Sequence, residues 1–533
     1  MTTAQHHHAP AAATARTAPA TTPRSTPAAL DTPAATRRRW AGLAVLVLAV
    51  LLVAIDATVL VLAIPSITEV LDPSATQLLW IGDSYSFVLA GLLVSMGALS
   101  DRIGRRRLLL LGATAFGAAS LLAAYAPSAG WLIAARALLG VAGATIMPST
   151  LSLIRVLFPD ARQRATAIGI WGAAATAGAA GGPLIGGLLL EHFWWGSVFL
   201  LNLPVMALLL VLGRWLLPAS RDPKPGRWDV VSVLLSMTGL IALVYAVKEG
   251  AANGPAHWQV WAAGAVGVLG LRGFVRRQLR LATPLLDVRL FADRRFSGAV
   301  LGALVAILGM GGVVFFMSQY LQLVRGYSPL TAGLAETPGF VAAMGASLVS
   351  ARLARRIGAR GALVGGLAVL GLALGALGLL TESTSYLVLA AVFVGVGAAE
   401  GLVYTLSSDL VLSAAPVGKS GAASAVSETA YELGTALGIA LFGSVLTAVY
   451  SAAVTAPAGL DPAAAAQARA SLGGAVAAAR SLPGGTGDAL AQAARAAFVH
   501  GVGLASLLAA GLVAVGAVAA WRLLRPTGAG RSS

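Results

Sequence analysis

Seven acidic side chains lie within stretches that otherwise have the composition of membrane-spanning helices. They are Asp56, Asp83, Glu336, Glu400, Asp409, Glu428 and Glu432. An ionised side chain near the bilayer centre costs roughly 2.5–3.5 kcal/mol even on a lenient scale, so such groups face a polar path and not lipid. A carboxylate on such a path binds a proton, a cation, or each in turn. These residues therefore predict a membrane transporter before any motif is considered.

Three ionisable groups in the first half of the chain fall at a similar predicted depth. Asp56 lies sixteen residues beyond the start of its apolar segment, and Asp83 and Arg136 each lie six residues from the opposite surface. With a helix rise of about 1.5 Å per residue, all three fall in the outer half of one bundle. Opposite charges at this depth stabilise each other, so the three residues predict a proton relay.

Glu428 and Glu432 form a second candidate site near the predicted midplane. They are four residues apart and therefore share one helix face. Two carboxylates so placed repel each other when both are ionised, which favours proton or cation binding. A structural polar contact is the alternative. Glu400 lies in the middle of its own segment and is expected to line the same cavity. The roles of Glu336, beside the outer surface, and Asp409, near the cytoplasmic end, stay open.

The elements that must position these groups are long apolar segments. The chain has 533 residues, of which 57% are hydrophobic and 11% charged, whereas soluble domains carry about 25% charged residues. Apolar runs of about 20 residues are typical of transmembrane helices. Fourteen are predicted, at approximately 40–64, 77–100, 107–126, 130–154, 164–190, 196–217, 228–248, 257–275, 297–322, 329–354, 361–380, 384–413, 420–449 and 498–523.

The distribution of positive charge predicts the orientation of these segments. With the N-terminus inside, 31 of the 37 Lys and Arg residues fall in the tails and the even-numbered connections, five fall outside, and Arg136 lies within a segment. Positive residues favour the cytoplasmic side, so both termini are expected in the cytoplasm. The net charge of +16 is thereby explained by topology, and nucleic-acid binding is not expected.

The segments divide the chain into predicted parts. Residues 1–36 are rich in Ala, Thr and Pro and predict a disordered cytoplasmic tail. An N-terminal six-helix bundle (37–220), two inserted helices (221–285) and a C-terminal six-helix bundle (286–525) follow, with a second cytoplasmic tail at 526–533. Residues 450–497 predict a long external loop containing a short helix around 463–480.

A weak internal repeat supports the two-bundle arrangement. Residues 99–106 (LSDRIGRR) recur loosely as residues 353–360 (LARRIGAR), each after the second helix of a six-helix group. Transporters are commonly built from such repeats, with the substrate site between the halves.

Residues 97–106 (GALSDRIGRR) contain glycines that permit a tight turn and charges that permit an ion-pair latch. This stretch resembles the loop 2–3 signature of the major facilitator superfamily. The resemblance implies a conformational switch formed by Gly97, Asp101, Arg102, Gly104 and Arg105. A generic positive anchor explains the arginines but not Gly97, Asp101 and Gly104 at this spacing.

Two further motifs strengthen the resemblance. Residues 178–187 (GAAGGPLIGG) are similar to the glycine–proline signature of the superfamily's drug antiporters, which adds Gly182, Pro183 and Gly186 to the expected switch. Residues 136–144 (RALLGVAGA) are similar to the family's arginine-containing proton-coupling motif, although Leu139 stands where Gln is frequent.

Residues 55–65 (IDATVLVLAIP) and 80–86 (WIGDSYS), together with 320–329 and 427–434, resemble the 14-helix drug:proton antiporters. That branch includes quaternary-ammonium-compound and actinobacterial antibiotic-resistance exporters. One departure concerns residues 340–343, where some multidrug members place an acidic residue. The nearest carboxylate here is Glu336, which puts an equivalent substrate range in doubt.

The resemblance implies an all-α integral membrane protein with two six-helix bundles and two inserted helices, in a bacterial cytoplasmic membrane. We expect a monomeric antiporter, not an enzyme, that exchanges protons for exported amphipathic, cationic compounds. The alternative is a dedicated exporter of one endogenous metabolite or antibiotic, neutral or anionic compounds included. No phosphate-binding GxxxxGK[ST] motif occurs, so the proton motive force is the expected energy source, without a cofactor or metal.

Overall fold

The computed structural model describes residues 33–73, 75–221, 229–254, 256–455, 461–482 and 485–525. Within these ranges the chain is helical and contains no strand. The helices before the inserted pair are α1 (Pro33–Leu71), α2 (Ala75–Ile103), α3 (Arg105–Ala124), α4 (Ala129–Leu157), α5 (Ala161–His192), α6 (Ser197–Leu200) and α7 (Asn202–Leu216). The inserted pair is α8 (Val230–Asn253) and α9 (Trp258–Arg280). The remaining helices are α10 (Arg294–Gln319), α11 (Pro329–Leu377), α12 (Tyr386–Ala414), α13 (Ser420–Ala453), α14 (Pro462–Ala470), α15 (Leu472–Ser481) and α16 (Gly485–Leu523).

Twelve helices of the described residues are long and apolar enough to cross a membrane. The chain is therefore a multi-pass membrane protein. One of these helices, α11, has 49 residues and a non-helical residue, Gly358, inside it. At about 1.5 Å per residue, 49 residues of continuous helix would be about two and a half times as long as the hydrocarbon core is thick. The arginine-rich α9 is not among the twelve. The exact count of fourteen stays a prediction.

The helices pack as two bundles, each with its own apolar core. One core is formed mainly by α1 to α5 with α6 and α7, and the other by α10 to α13 with α15 and α16. The inserted helices pack against each other, and α8 also contacts α2 and α13. The bundles meet mainly where α2 packs on α13 and α5 on α11, with further contacts of α4 with α13 and of α5 with α12.

The two copies of the internal repeat share a backbone conformation. Gly104, between α2 and α3, has φ 107°, and Gly358, within α11, has φ 79°. Residues with a side chain rarely adopt a positive φ, so glycine is the residue suited to both positions. The glycine common to both copies therefore interrupts the helical conformation at corresponding places in the two bundles.

Some predicted boundaries differ from the observed ones. α1 begins at Pro33, so residues 33–36, predicted to be disordered, are helical; proline is well tolerated in a first helical turn. The predicted loop 450–497 includes the last turn of α13, the two helices α14 and α15, and the first turns of α16. Alanine-rich sequence favours helix there even outside an apolar segment. Residues 1–32 and 526–533 lie outside the described residues.

The predicted topology is testable because the chain contains no cysteine. We expect Ser25→Cys in the tail and Ala466→Cys, exposed on α14, to react with an impermeant maleimide from opposite sides of the membrane. Ala144→Cys, at a fully buried position, is the unreactive control. Labelling of Ser25→Cys and Ala466→Cys from the same side would contradict the predicted topology.

Candidate functional site

Asp56 and Arg136 form a buried ion pair inside the N-terminal bundle. The Arg136 Nη1 to Asp56 Oδ2 distance is 3.3 Å, and the two residues are 2% and 1% exposed. The second carboxylate oxygen, Oδ1, accepts a hydrogen bond of 2.7 Å from the Asn202 amide, which also donates to Ser120 Oγ at 2.9 Å. The pair therefore links α1 to α4, and hydrogen bonds from Asn202 on α7 hold Asp56 and connect it to Ser120 on α3.

The Arg136 guanidinium has two further partners, both on α2. Its Nε donates to the Ile81 carbonyl at 3.4 Å, and its Cζ lies 4.6 Å from the centre of the Tyr85 ring. A buried charge is tolerated when it is paired and hydrogen-bonded in this manner. A change in the charge of Asp56 therefore alters the electrostatic interactions of Arg136, which join α1, α2 and α4.

Asp83 does not join this pair. Its carboxylate instead forms an ion pair with Lys248 on the inserted helix α8. The predicted grouping of Asp83 with Asp56 and Arg136 is therefore wrong in its contacts, because equal depth along a helix does not fix the direction in which a side chain points. The role of Asp83 as a binding residue stays a prediction.

A second cluster of polar and aromatic groups lies where the two bundles meet. Tyr404 on α12 donates a hydrogen bond of 3.0 Å to Glu428 Oε1 on α13. The Tyr404 ring stacks on Trp171 of the other bundle, with 5.8 Å between ring centres, and lies 5.2 Å from the Tyr431 ring. Trp171 is anchored by a hydrogen bond to Thr150. We call Trp171, Tyr404, Glu428 and Tyr431 the seam cluster.

The other predicted carboxylates lie at different places. Glu432 is half-buried one turn beyond Glu428, and Glu400 is half-buried one turn before Tyr404. Within the described ranges, Glu400, Glu428 and Glu432 form no ion pair. Glu336 lies in the first turns of α11, away from the seam cluster in sequence, and its buried Oε1 has no hydrogen-bond partner among the described residues.

Asp101 connects the two bundles at the end of the molecule that carries the turn between α2 and α3. Its carboxylate accepts hydrogen bonds from the backbone amides of Gly421 and Ala422, at 3.0 and 3.1 Å, in the first turn of α13. The residue preceding α13, Lys419, supplies no side-chain cap. A helix N-terminus favours a carboxylate. Asp101 thus caps a helix of the opposite bundle, and we call this contact the Asp101 latch.

The neighbouring switch residues support this latch. Arg105 binds Asp101 Oδ1 through Nε and Nη2, at 3.1 and 2.9 Å, while Gly104 provides the turn that brings Arg105 into reach. A Cβ atom on Gly97 would collide with the Gly421 carbonyl oxygen and come within 2.6 Å of Ala425 Cβ. α2 and α13 therefore cross in direct backbone contact beside the latch. Arg102 is not bonded to the latch, and its Nη1 is buried without a hydrogen-bond partner in the described part of the chain.

Two arginines of the N-terminal bundle add contacts at the same end. Arg155 donates to the Ala415 carbonyl at 2.6 Å. Arg164 pairs with Asp409 at 3.1 Å and donates to Ser413 Oγ at 2.9 Å. Asp409, whose role the sequence leaves open, therefore holds α12 against α5.

The glycine–proline motif lies on α5 against α1, within one bundle. A Cβ on Gly182 would collide with Thr58 Oγ1 and lie 3.1 Å from the Ile55 carbonyl oxygen. Gly186 is buried one turn further, and the side chain of Pro183 lies outside the described set. These residues therefore permit close approach of α5 to the helix that carries Asp56, and their part in a conformational change stays a prediction.

A cavity of about 720 Å³ lies at the opposite end of the molecule from the latch. Its wall combines side chains of α2, α8, α10, α13, α15 and α16, which are Trp80, Asp83, Phe87, Tyr245, Lys248, Glu249, Phe316, Gln319, Ile439, Tyr450, Leu472 and Phe498 among others. Pockets for small molecules range over about 300–1,000 Å³ and are mostly apolar with a few polar groups. This cavity therefore has the size and the lining of a small-molecule site.

A family model of the Major Facilitator Superfamily matches residues 46–439 of this chain. The chain belongs to the major facilitator superfamily. Its similarity to relatives of this superfamily extends over almost its full length.

The multidrug efflux pump LfrA of Mycolicibacterium smegmatis is 50% identical over 485 residues, covering 90% of this chain and 96% of that protein. The methyl viologen resistance protein SmvA of Salmonella typhimurium is 40% identical, covering 88% and 95%. The puromycin resistance protein pur8 of Streptomyces alboniger is 38% identical, covering 80% and 85%.

A solved structure shows the same fold at low identity. The crystal structure of the human organic anion transporter MFSD10 matches with a TM-score of 0.58 and 16% identity, covering 91% of this chain and all of that one. The predicted resemblance to superfamily drug exporters and the predicted all-helical superfamily fold are thereby confirmed.

Several residues of these sites were not predicted from the sequence. Asn202 and Tyr404 are single polar groups in apolar segments, and that is the one sequence signal that points to them. Lys248 is one of the five positive residues that the predicted topology places outside, and its position in the sequence does not indicate its partner.

Proposed function

We propose that this protein is a proton-coupled secondary antiporter that exports amphipathic, mainly cationic compounds by alternating access. The names of its relatives favour drug efflux, since the most similar of those given above are a multidrug efflux pump and a methyl viologen resistance protein. Proton coupling and antiport are inferred from the charged groups of this chain.

The observation that carries the proposal is a set of carboxylates where the two bundles meet that form no ion pair with any described residue. Glu428 is 3% exposed and accepts a hydrogen bond from the neutral hydroxyl of Tyr404. A buried charge without a partner is costly, and a proton on this group removes that cost. Glu428, with Glu432 and Glu400, is thus our candidate site for exchange between a proton and a substrate cation.

The Asp56–Arg136 pair is the second candidate for coupling. It lies wholly within the N-terminal bundle, whereas Glu428 lies at the seam. Protonation of Asp56 would weaken the tie between α1 and α4 and free the Arg136 guanidinium, whose other partners lie on α2. In this proposal the pair transmits a protonation event to the helix that carries both Asp83 and the Asp101 latch.

The sidedness follows from the predicted cytoplasmic position of the arginine-rich turns. The latch and the Arg155 and Arg164 contacts then close the cytoplasmic end, and the cavity faces outwards. Export requires the latch to break so that substrate enters from the inside, and to re-form before release. In transporters built from two repeats, one half rocks against the other around a central site in this way.

The proposal is tested with everted membrane vesicles and the fluorescent cation ethidium. We expect acidification of the vesicle lumen to drive ethidium uptake and an uncoupler to abolish it. A difference of about one pH unit supplies about 1.4 kcal/mol per proton, enough for about a tenfold cation gradient at one proton per cation. Uptake that is unaffected by the uncoupler would contradict proton coupling.

In the same assay we expect Glu428→Gln to reduce proton-driven uptake to background. Glutamine keeps the volume and still accepts the Tyr404 hydrogen bond, but it cannot bind and release a proton. Glu69→Gln, at an exposed position, is the matched control and should transport like the wild type. Wild-type coupling in Glu428→Gln would move the assignment to Asp56, Glu400 or Glu432.

A further inference from the structure

The Lys248–Asp83 ion pair has features of a bound ligand in a recognition site. The Lys248 ammonium contacts the Asp83 carboxylate and lies 5.0 Å from the centre of the Phe87 ring. The Trp80 ring packs 5.8 Å from Phe87, and Tyr245 lines the same cavity. A carboxylate with several aromatic faces is the arrangement that binds organic cations such as quaternary ammonium groups.

We propose that Asp83, Phe87, Trp80 and Tyr245 form a binding site for organic cations, and that the Lys248 ammonium occupies this site until a substrate displaces it. We call these four residues the cation cage. This inference rests on the proposed export of cations and specifies a place where they bind.

The position of the pair permits displacement. Both side chains are 34% exposed and line the cavity, so water and a ligand reach them from the same side. Ion pairs in contact with solvent contribute little net stability, and lysine has a flexible four-carbon stem. The free-energy cost of replacing the Lys248 ammonium by another cation is therefore small, whereas separating the fully buried Asp56–Arg136 pair costs more.

The charge of the wall also favours a cation. Asp83 and Glu249 line the cavity together with a single described lysine, Lys248. When a ligand cation replaces the ammonium on Asp83, the ammonium has a second carboxylate, Glu432, within range of electrostatic attraction. On ligand binding, the Lys248 side chain moves away from Asp83, and the four residues of the cation cage keep their positions.

The site requires the inserted helices. Lys248 and Tyr245 belong to α8, while Asp83, Phe87 and Trp80 belong to α2. A chain without the inserted pair would lack both the internal competitor and one aromatic face. On this inference the inserted helices take part in selecting the ligand.

The inference is tested by binding of tetraphenylphosphonium to the purified full-length protein in equilibrium dialysis, without a proton gradient. We expect Lys248→Met to lower the dissociation constant about tenfold, because the internal competitor is lost. Lys248→Arg, which keeps a cation in place, should stay within about twofold of the wild type, and Asp83→Asn should weaken binding about tenfold.

Two controls separate displacement from general electrostatics. Arg325→Met removes a positive charge that is bound to the Glu382 and Thr384 carbonyl groups outside the cavity wall, and it should not tighten binding. Tetraphenylborate has the same shape with a negative charge, and Lys248→Met should not tighten its binding. If Lys248→Met does not fold, Lys248→Gln takes its place.

Displacement is also visible directly. The chain has three lysines, Lys224, Lys248 and Lys419, and reductive ¹³C-methylation keeps their charge. We expect tetraphenylphosphonium to shift the NMR signal of methylated Lys248 and to leave the other two unchanged.

Unchanged affinity in Lys248→Met, equal tightening in Arg325→Met, or an unmoved Lys248 signal at saturation would each overturn the inference. These outcomes would leave proton-driven ethidium uptake intact. Loss of the proposed function would instead appear as absence of cation binding and uptake in the wild type.

Discussion

Replacing Asp56 with Asn should abolish proton-coupled export and destabilise the protein. The substitution leaves the Arg136 guanidinium without its counter-ion in a site that is about 2% exposed. Removal of one partner of a buried ion pair costs about 3–5 kcal/mol. The Asn202 hydrogen bond to the Oδ1 position is retained, so the loss concerns charge and not volume. Melting temperature and ethidium uptake are the two measurements.

The double substitution Asp56→Asn with Arg136→Gln separates coupling from stability. It removes both charges and lets the two side-chain amides hydrogen-bond to each other. We expect the melting temperature to recover and uptake to stay at background. If uptake recovers together with stability, Asp56 has a packing role only, and the coupling proton must be bound at the seam cluster or at Glu400 or Glu432.

Replacing Gly97 with Val should stop transport by preventing closure at the latch. The added side chain would occupy the space of the Gly421 carbonyl oxygen and Ala425 Cβ. α2 and α13 must then separate, which breaks the hydrogen bonds from Asp101 to the start of α13. A cysteine at Ser424, buried on α13, should become reactive towards maleimide in this variant and stay unreactive in the parent protein.

Gly82→Val is the matched control for this effect. It places the same side chain on the same helix, where an added Cβ has nothing within 4 Å. Normal transport by Gly82→Val and background transport by Gly97→Val are expected together. If Gly97→Val transports normally with Ser424→Cys still protected, the α2–α13 crossing is not part of the conformational change.

The sequence predicted the local features well, because hydropathy and helix rise are properties of single segments. Asp56 and Arg136 were placed at one depth, and they meet. The same reasoning grouped Asp83 with this pair, whereas Asp83 contacts Lys248, because depth says nothing about rotation around the helix axis. The Asp101–Gly421 and Arg164–Asp409 contacts join residues more than 240 positions apart in the chain. Such contacts depend on how two bundles face each other, and no periodicity within one segment contains that information.

The Asp101 latch caps the first turn of α13 from the opposite bundle, so the backbone amides of this turn can report the conformational equilibrium. The Gly421 and Ala422 amides are held by Asp101, a residue of the other bundle, and not by a side chain of their own helix. Whenever the bundles part at this end, these two amides lose their acceptor and meet water. Their hydrogen-exchange rates therefore report the fraction of time that this end of the transporter is open, without a label and without a substrate.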